Sequence, residues 1–163
     1  MRRTASLFED QMITIGFRVK PDEVTFVVLD TNELRLLNVE GLRIPKALAD
    51  PDALKYVRNS VLDVLREYEV AHAGLRMAES IARRPSHRRI QIEGVIKEAF
   101  ASSNLADFYC GQIATISSRV GIDRRDFKPY VRGDVDLDRF ESWRELSEAE
   151  REAALTALGA ENA

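Results

Sequence analysis

The chain has 163 residues, 45% of them hydrophobic and 31% charged, with a formal charge of −3. That is enough for one domain with a real core, and too apolar for a disordered chain. The charge balance gives no global signal for nucleic acid, and the single Cys110 excludes an intramolecular disulfide or a cysteine-cluster zinc site.

Residues 1–11 read as a flexible N-terminal arm. Arg2 and Arg3 precede no apolar run there, so a secretory signal is not expected. No segment approaches the roughly 20 apolar residues of a membrane span. No membrane association is expected, and a cytoplasmic location is.

Ile13, Ile15, Phe17 and Val19 alternate with Thr14, Gly16, Arg18 and Lys20, the period of a strand. Pro21-Asp22 is a turn signal, and the β-branched and aromatic run Val24 to Leu29 is its partner strand. After a second turn at Thr31-Asn32-Glu33, residues Leu34, Leu36, Leu37 and Val39 suggest a third strand that closes an antiparallel meander. Gly41 to Pro51 reads as a connection.

From Pro51 the period becomes helical. Leu54, Val57, Val61, Val64, Leu65 and Tyr68 form one stripe, with Asp50 or Asp52 as cap and Pro51 in the first turn. Val70 to Met77 is short and largely apolar, a fourth strand covered on both faces as parallel strands are. Ala82 to Arg89 is a basic loop. Ile92, Val95, Ile96, Ala99 and Phe100 mark a second amphipathic helix. Leu105 to Cys110 predicts a fifth strand, and Gln112 to Val120 a short helix stopped by Gly121. Asp123 to Asp138 is charged and irregular. Ser147 and Glu150 form a capping box that opens the last helix, whose apolar face (Ala149, Ala153, Ala154, Leu155, Leu158) is weak. Residues 12–158 therefore read as one domain and 159–163 as a tail.

Charge is segregated along the chain. Arg83, Arg84, Arg88 and Arg89, with His87, occupy a stretch without an acid. Arg119, Arg124, Arg125, Lys128 and Arg132 dominate residues 111–133. Eight acids then outnumber three arginines over residues 134–152. Cations on phosphates supply sequence-independent affinity, and Phe127 and Tyr130 are candidates to stack on bases. The competing reading pairs the basic segments with the acidic one, or with a protein. The candidate binding residues are Arg18, Arg83, Arg84, Arg88, Arg89, Arg124, Arg125, Lys128 and Arg132.

Other features carry less. Asp134-Val-Asp-Leu-Asp138 lacks the glycine and distal glutamate of a calcium loop and reads as a solvated acidic turn. His72 lies in an apolar strand as a packed residue, and Ser86-His87 has no glycine elbow. Cys110 reads as a small buried hydrophobe. No glycine-rich phosphate loop is present.

The order of elements (three meandering strands, helix, strand, helix, strand, helix, terminal helix) resembles the ribonuclease-H-like fold. Within it, Arg89-Ile-Gln-Ile-Glu-Gly-Val-Ile-Lys-Glu-Ala-Phe100, Asp107-Phe-Tyr and Ile113-Ala-Thr-Ile-Ser-Ser-Arg-Val-Gly121 resemble the central helix, fifth strand and following helix of RuvC-type Holliday-junction resolvases. The expected fold class is α/β, ribonuclease-H-like: a mixed five-stranded sheet, three antiparallel strands plus parallel strands, flanked by helices.

The resemblance implies two-metal phosphodiester cleavage, with carboxylates holding Mg²⁺ from the first strand, the end of the fourth and the last helix. In this chain the first position falls at or next to Arg18 and the second at Leu75 or Arg76. Glu79 lies further on, past the expected site. The last helix carries Glu148, Glu150 and Glu152. The expected function is thus a catalytically degenerate RuvC-like domain, a pseudo-nuclease without metal or cofactor. It would bind DNA or structured RNA, or a protein partner. The alternatives are a Mg²⁺-dependent endonuclease with displaced carboxylates, drawing on Glu79, Glu148 and Glu152, and an interaction module such as a homodimer. Arg18 is expected to pair with Glu79 or a terminal-helix glutamate, because an unpaired charge at a sheet centre is costly; the alternative is direct contact with phosphate.

Overall fold

The computed structural model describes residues 11–79, 86–140 and 142–162. Almost all of the N-terminal arm and the two arginines Arg83 and Arg84 lie outside them. Five strands, β1 (Ile13–Val19), β2 (Glu23–Asp30), β3 (Arg35–Arg43), β4 (His72–Arg76) and β5 (Asp107–Gly111), make one sheet in the order β3-β2-β1-β4-β5. β1, β2 and β3 pair antiparallel; β4 joins β1, and β5 joins β4, in parallel. The helices are α1 (Asp50–Glu67), α2 (His87–Ala101), α3 (Ile113–Val120), α4 (Phe127–Arg132) and α5 (Glu148–Gly159). This is the mixed five-stranded α/β sheet expected from the order of elements.

The alternation along β1 sorts its residues between two cores. Ile13, Ile15, Phe17 and Val19 pack with Val57, Val61, Ile92, Ile96 and Phe100 of α1 and α2. The opposite face of the sheet is covered as well. Val27, Leu29 and Tyr109 meet Ile116, Phe127, Trp143 and Leu155 there. Against β1 itself lies α5, held by the Thr14 hydroxyl, which donates to the Ala157 carbonyl (2.8 Å), and by the Tyr109 hydroxyl on the Thr156 carbonyl (2.7 Å). The weak apolar face read for α5 understates its role. From Arg151 to Ala160 every residue is buried. The helix packs by being small rather than by being strongly apolar.

Three further elements differ from the sequence expectation. β3 runs on to Arg43, so the connection to α1 begins only at Ile44. Beside Gly41 the flexible Glu23 carboxylate fills the space a Cβ would take. α1 is entered through Ala49 without a side-chain cap, and Asp50 and Asp52 instead lie in its first turn, where negative charge suits the helix dipole. Residues 127–132, read as irregular, form α4, anchored by buried Phe127 and Val131. Phe127 is 1% exposed, so it is core and cannot stack on bases.

Buried Arg151 holds this last region together. Its guanidinium donates to the carbonyls of Trp143, Val131 and Arg144, each at 3.0 Å. It thereby satisfies acceptors at the ends of α4 and of the turn before α5. Arg151→Met is expected to lower stability by about 2 kcal/mol, the cost of leaving such carbonyls unpaired. A denaturant titration checks this, and no change would mean that water serves them equally well.

The end of α1 offers the opposite case. The Val70 amide donates to the Leu65 carbonyl (3.0 Å) and the Glu69 amide to that of Arg66 (3.2 Å), a Schellman closure. It puts Glu69 at φ 49°, a position that favours glycine. Glu69→Gly is therefore expected to stabilise the protein by about 1 kcal/mol, seen as a rise in melting temperature.

Candidate site at the carboxyl edge of the sheet

β1 and β4 run in register, pairing Thr14 with His72, Gly16 with Gly74 and Arg18 with Arg76. All six face α5. At the middle of this face both positions are glycine, and α5 comes close. At the carboxyl end both are arginine, and the two guanidinium groups stand side by side under the first turns of α5.

Glu152 of α5 lies between them. Its Oε2 accepts from Arg18 Nε at 2.7 Å and its Oε1 from Arg76 Nε at 2.8 Å. Each arginine also donates from Nη1 to the carbonyl of the following residue, Val19 or Met77. The two strands thus present the same fork. The side chains are largely buried, 18% exposed for Arg18, 6% for Arg76 and 11% for Glu152.

Two more acids and one more arginine complete the cluster. Glu79 Oε1 is 3.3 Å from Arg76 Nη1 and accepts the Ile113 amide at 2.9 Å, at the positive N-terminus of α3. From the other side α2 contributes Arg89 and Glu93. Glu93 Oε1 accepts from Arg89 Nε at 3.0 Å and from the Ala78 amide at 2.9 Å. Burial, and then the neighbouring Arg18 charge, push the Arg89 guanidinium below its usual range; Arg76 adds to this. Its Nη2 is buried without a hydrogen-bond partner. Three arginines and three glutamates therefore converge from β1, β4, the segment after β4, α2 and α5. Among the described residues, no three His, Cys, Asp or Glu side chains gather as a metal ion would need.

Of the residues singled out in the sequence, Arg18, Arg89, Glu79 and Glu152 meet here. Glu79 lies within the cluster rather than past it. Glu148 is exposed on the first turn of α5, and Glu150 accepts the Ser147 amide at 2.7 Å as the capping box requires. Arg88 pairs with Asp50 at 2.5 Å, tying the first turns of α1 and α2. Arg124, Arg125, Lys128 and Arg132 are exposed around α4. Of the ion pairs there, Arg132 with Asp134 (3.3 Å) joins the basic segment to the acidic one, whereas Arg125 with Asp123 (3.1 Å) and Arg144 with Asp136 (2.8 Å) each stay within one segment. His72 is half-buried against the Ala160 carbonyl at 2.9 Å, and burial raises the Cys110 thiol. Among the described residues, no helix is long and apolar enough to cross a membrane.

Two residues of the cluster are not evident from the sequence as binding groups. Arg76 stands out there only as a position without a carboxylate, and Glu93 not at all. A signal for Glu93 is nevertheless present: an acid beside Ile92 of the apolar stripe, four residues after an arginine, which is the spacing of a helical ion pair.

No family model matches the sequence, and no curated protein matches it. Solved structures do match in shape. Thermus thermophilus RuvC in complex with a Holliday junction substrate aligns over 91% of this chain and 91% of its own, at 14% identity and a TM-score of 0.69. A second structure of Thermus thermophilus RuvC gives 13% identity and 0.68 over 91% and 92%. The yeast mitochondrial Holliday junction resolvase gives 13% identity and 0.55 over 91% of this chain and 77% of its own. The chain has the ribonuclease-H-like fold of RuvC-type Holliday-junction resolvases.

Proposed function

We propose that this protein is a RuvC-like domain that binds nucleic acid without cutting it. The observation that carries the reading is the double engagement of Glu152 by Arg18 and Arg76. Mg²⁺ needs oxygen ligands. Here both oxygens of that carboxylate already accept from guanidinium groups, and the two strand ends supply positive charge. Two unit charges 4 Å apart repel by about 4 kcal/mol at an effective dielectric near 20, and a divalent ion doubles this. The donor set does not fit Mg²⁺, and no hydrolytic step is derived through it.

Nucleic acid is favoured over a protein partner for two reasons. A solved neighbour of 0.69 TM-score holds a Holliday junction. Exposed cations, Arg124 and Lys128 among them, remain outside the ion pairs of the described residues. They are suited to sequence-independent phosphate contacts.

A mobility-shift titration with four-way-junction DNA tests this. The wild type is expected to shift the junction and leave it intact in Mg²⁺ and Mn²⁺. Arg124→Glu/Lys128→Glu should weaken binding at every sequence and reduce the salt slope by about two, one for each cation withdrawn from a phosphate. Metal-dependent cleavage that disappears in Glu152→Gln would establish the active nuclease instead. A stable dimer without any shift at low salt would establish an interaction module.

A further inference from the structure

We propose that Arg18, Arg76 and Arg89 form a metal-free receptor for one tetrahedral oxyanion, a phosphate group, and that the Glu152 carboxylate is its built-in stand-in. Two Nε–H donors, presented by in-register residues of adjacent strands, converge on the two oxygens of one carboxylate at 2.7 and 2.8 Å. Two non-bridging oxygens of a phosphate ask for the same arrangement, and guanidinium forks match it in plane and spacing.

A third arginine lies nearby. Arg89 is fixed through Nε on Glu93, while its Nη2 is buried with no partner, near the like charges of Arg18 and Arg76. A buried N–H left unpaired costs about 1–3 kcal/mol and calls for a ligand that satisfies it. The local acids do not supply one. Glu93 is engaged by Arg89 Nε and the Ala78 amide, Glu79 by Arg76 and the Ile113 amide, and Glu152 by the other two arginines. Glu152 alone sits on a separate element, α5, and competes directly with any anion for Arg18 and Arg76. Removing an acid should therefore raise affinity for an anion at this site.

The phosphate has two sources of the same chemistry, a nucleic-acid backbone or a free phosphate ion. The inference rests on the nucleic-acid reading only for the first. The test compares thermal unfolding of wild type, Glu152→Gln and Glu152→Gln/Arg89→Gln in chloride and in inorganic phosphate at equal ionic strength, alongside junction-DNA shifts. Glu152→Gln is expected to melt below the wild type in chloride and to recover in phosphate. Its affinity for phosphate should rise by at least about tenfold, the lower end of the scale for one local charge removed. Adding Arg89→Gln should abolish that gain.

A gain for both ligands assigns the site to the backbone, and a gain for inorganic phosphate alone assigns it to the free ion. No gain with either ligand, or a gain that survives Arg89→Gln, overturns the receptor even where the wild type still shifts DNA. A phosphate gain with no junction shift by any variant keeps the receptor and removes the nucleic-acid reading. Where Glu152→Gln does not fold in either anion, Arg89→Lys in the otherwise wild-type chain decides. Weakened phosphate binding supports the receptor, and unchanged binding overturns it.

Discussion

Gly16→Ala is expected to lower stability by at least about 3 kcal/mol, far beyond the usual cost of one added methyl group in a core. The new Cβ would overlap the carbonyl of Ala153 and the amide of Ala157. These are backbone atoms of α5, so no side chain can rotate away. The helix would have to lift, breaking the Thr14 bond to Ala157 and drawing Glu152 away from Arg18 and Arg76. Gly94 on α2 is the control. It is exposed, with nothing within 4 Å of a Cβ. Gly94→Ala should stabilise by about 1 kcal/mol through helix propensity alone. Urea midpoints of the two variants should move in opposite directions. Similar small shifts would mean that α5 is held less closely than the structure has it.

The close approach of α5 to Gly16 also explains what can be read from the sequence. β1, α1 and α2 announce themselves because one side of each carries large apolar residues at the right period, and those sides form the first core. α5 is hidden because it is covered on nearly all sides and packs through Ala153, Ala154 and Ala157 against glycine and threonine. Period-based reading weighs hydrophobicity, and here the requirement is small volume. α4 is hidden for another reason: only Phe127 and Val131 anchor its six residues, and the rest are polar or exposed. The end of β3 pairs with β2 while showing Glu40 and Arg43 to solvent, which leaves no alternation to follow.

The site divides in the same way. Arg18 is visible as a charge within a strand whose neighbours are apolar, and burial without compensation is too costly to leave it unpaired. Which acid meets it is not visible. Glu150 has its capping role, but Glu148 and Glu152 look alike in sequence, and only the height at which α5 crosses Gly16 and Gly74 brings Glu152 over the arginines. Arg89 looks like part of a basic surface. The fold turns it inward, because the acid four residues later is only 2% exposed and needs a cation.

Glu152→Leu is expected to cost about 3–5 kcal/mol, because it strands two guanidinium groups side by side in a largely buried place. Arg18→Met/Arg76→Met/Glu152→Leu should regain most of that loss, since exchanging a whole buried ion cluster for apolar groups of similar volume is often neutral. Within the cluster, the Arg76–Glu152 coupling should exceed that of Arg18–Glu152. Arg76 is 6% exposed and Arg18 18%, so solvent screens the second pair more. Denaturant titrations of the full mutant cycle measure both couplings. A triple variant as unstable as Glu152→Leu would show that these side chains hold α5 by more than charge compensation. A stable triple variant separates folding from binding. If it no longer shifts junction DNA, the cluster itself touches the nucleic acid. If it shifts DNA as well as the wild type, binding resides in exposed cations such as Arg124 and Lys128, and the buried cluster serves only to fix α5 on the sheet.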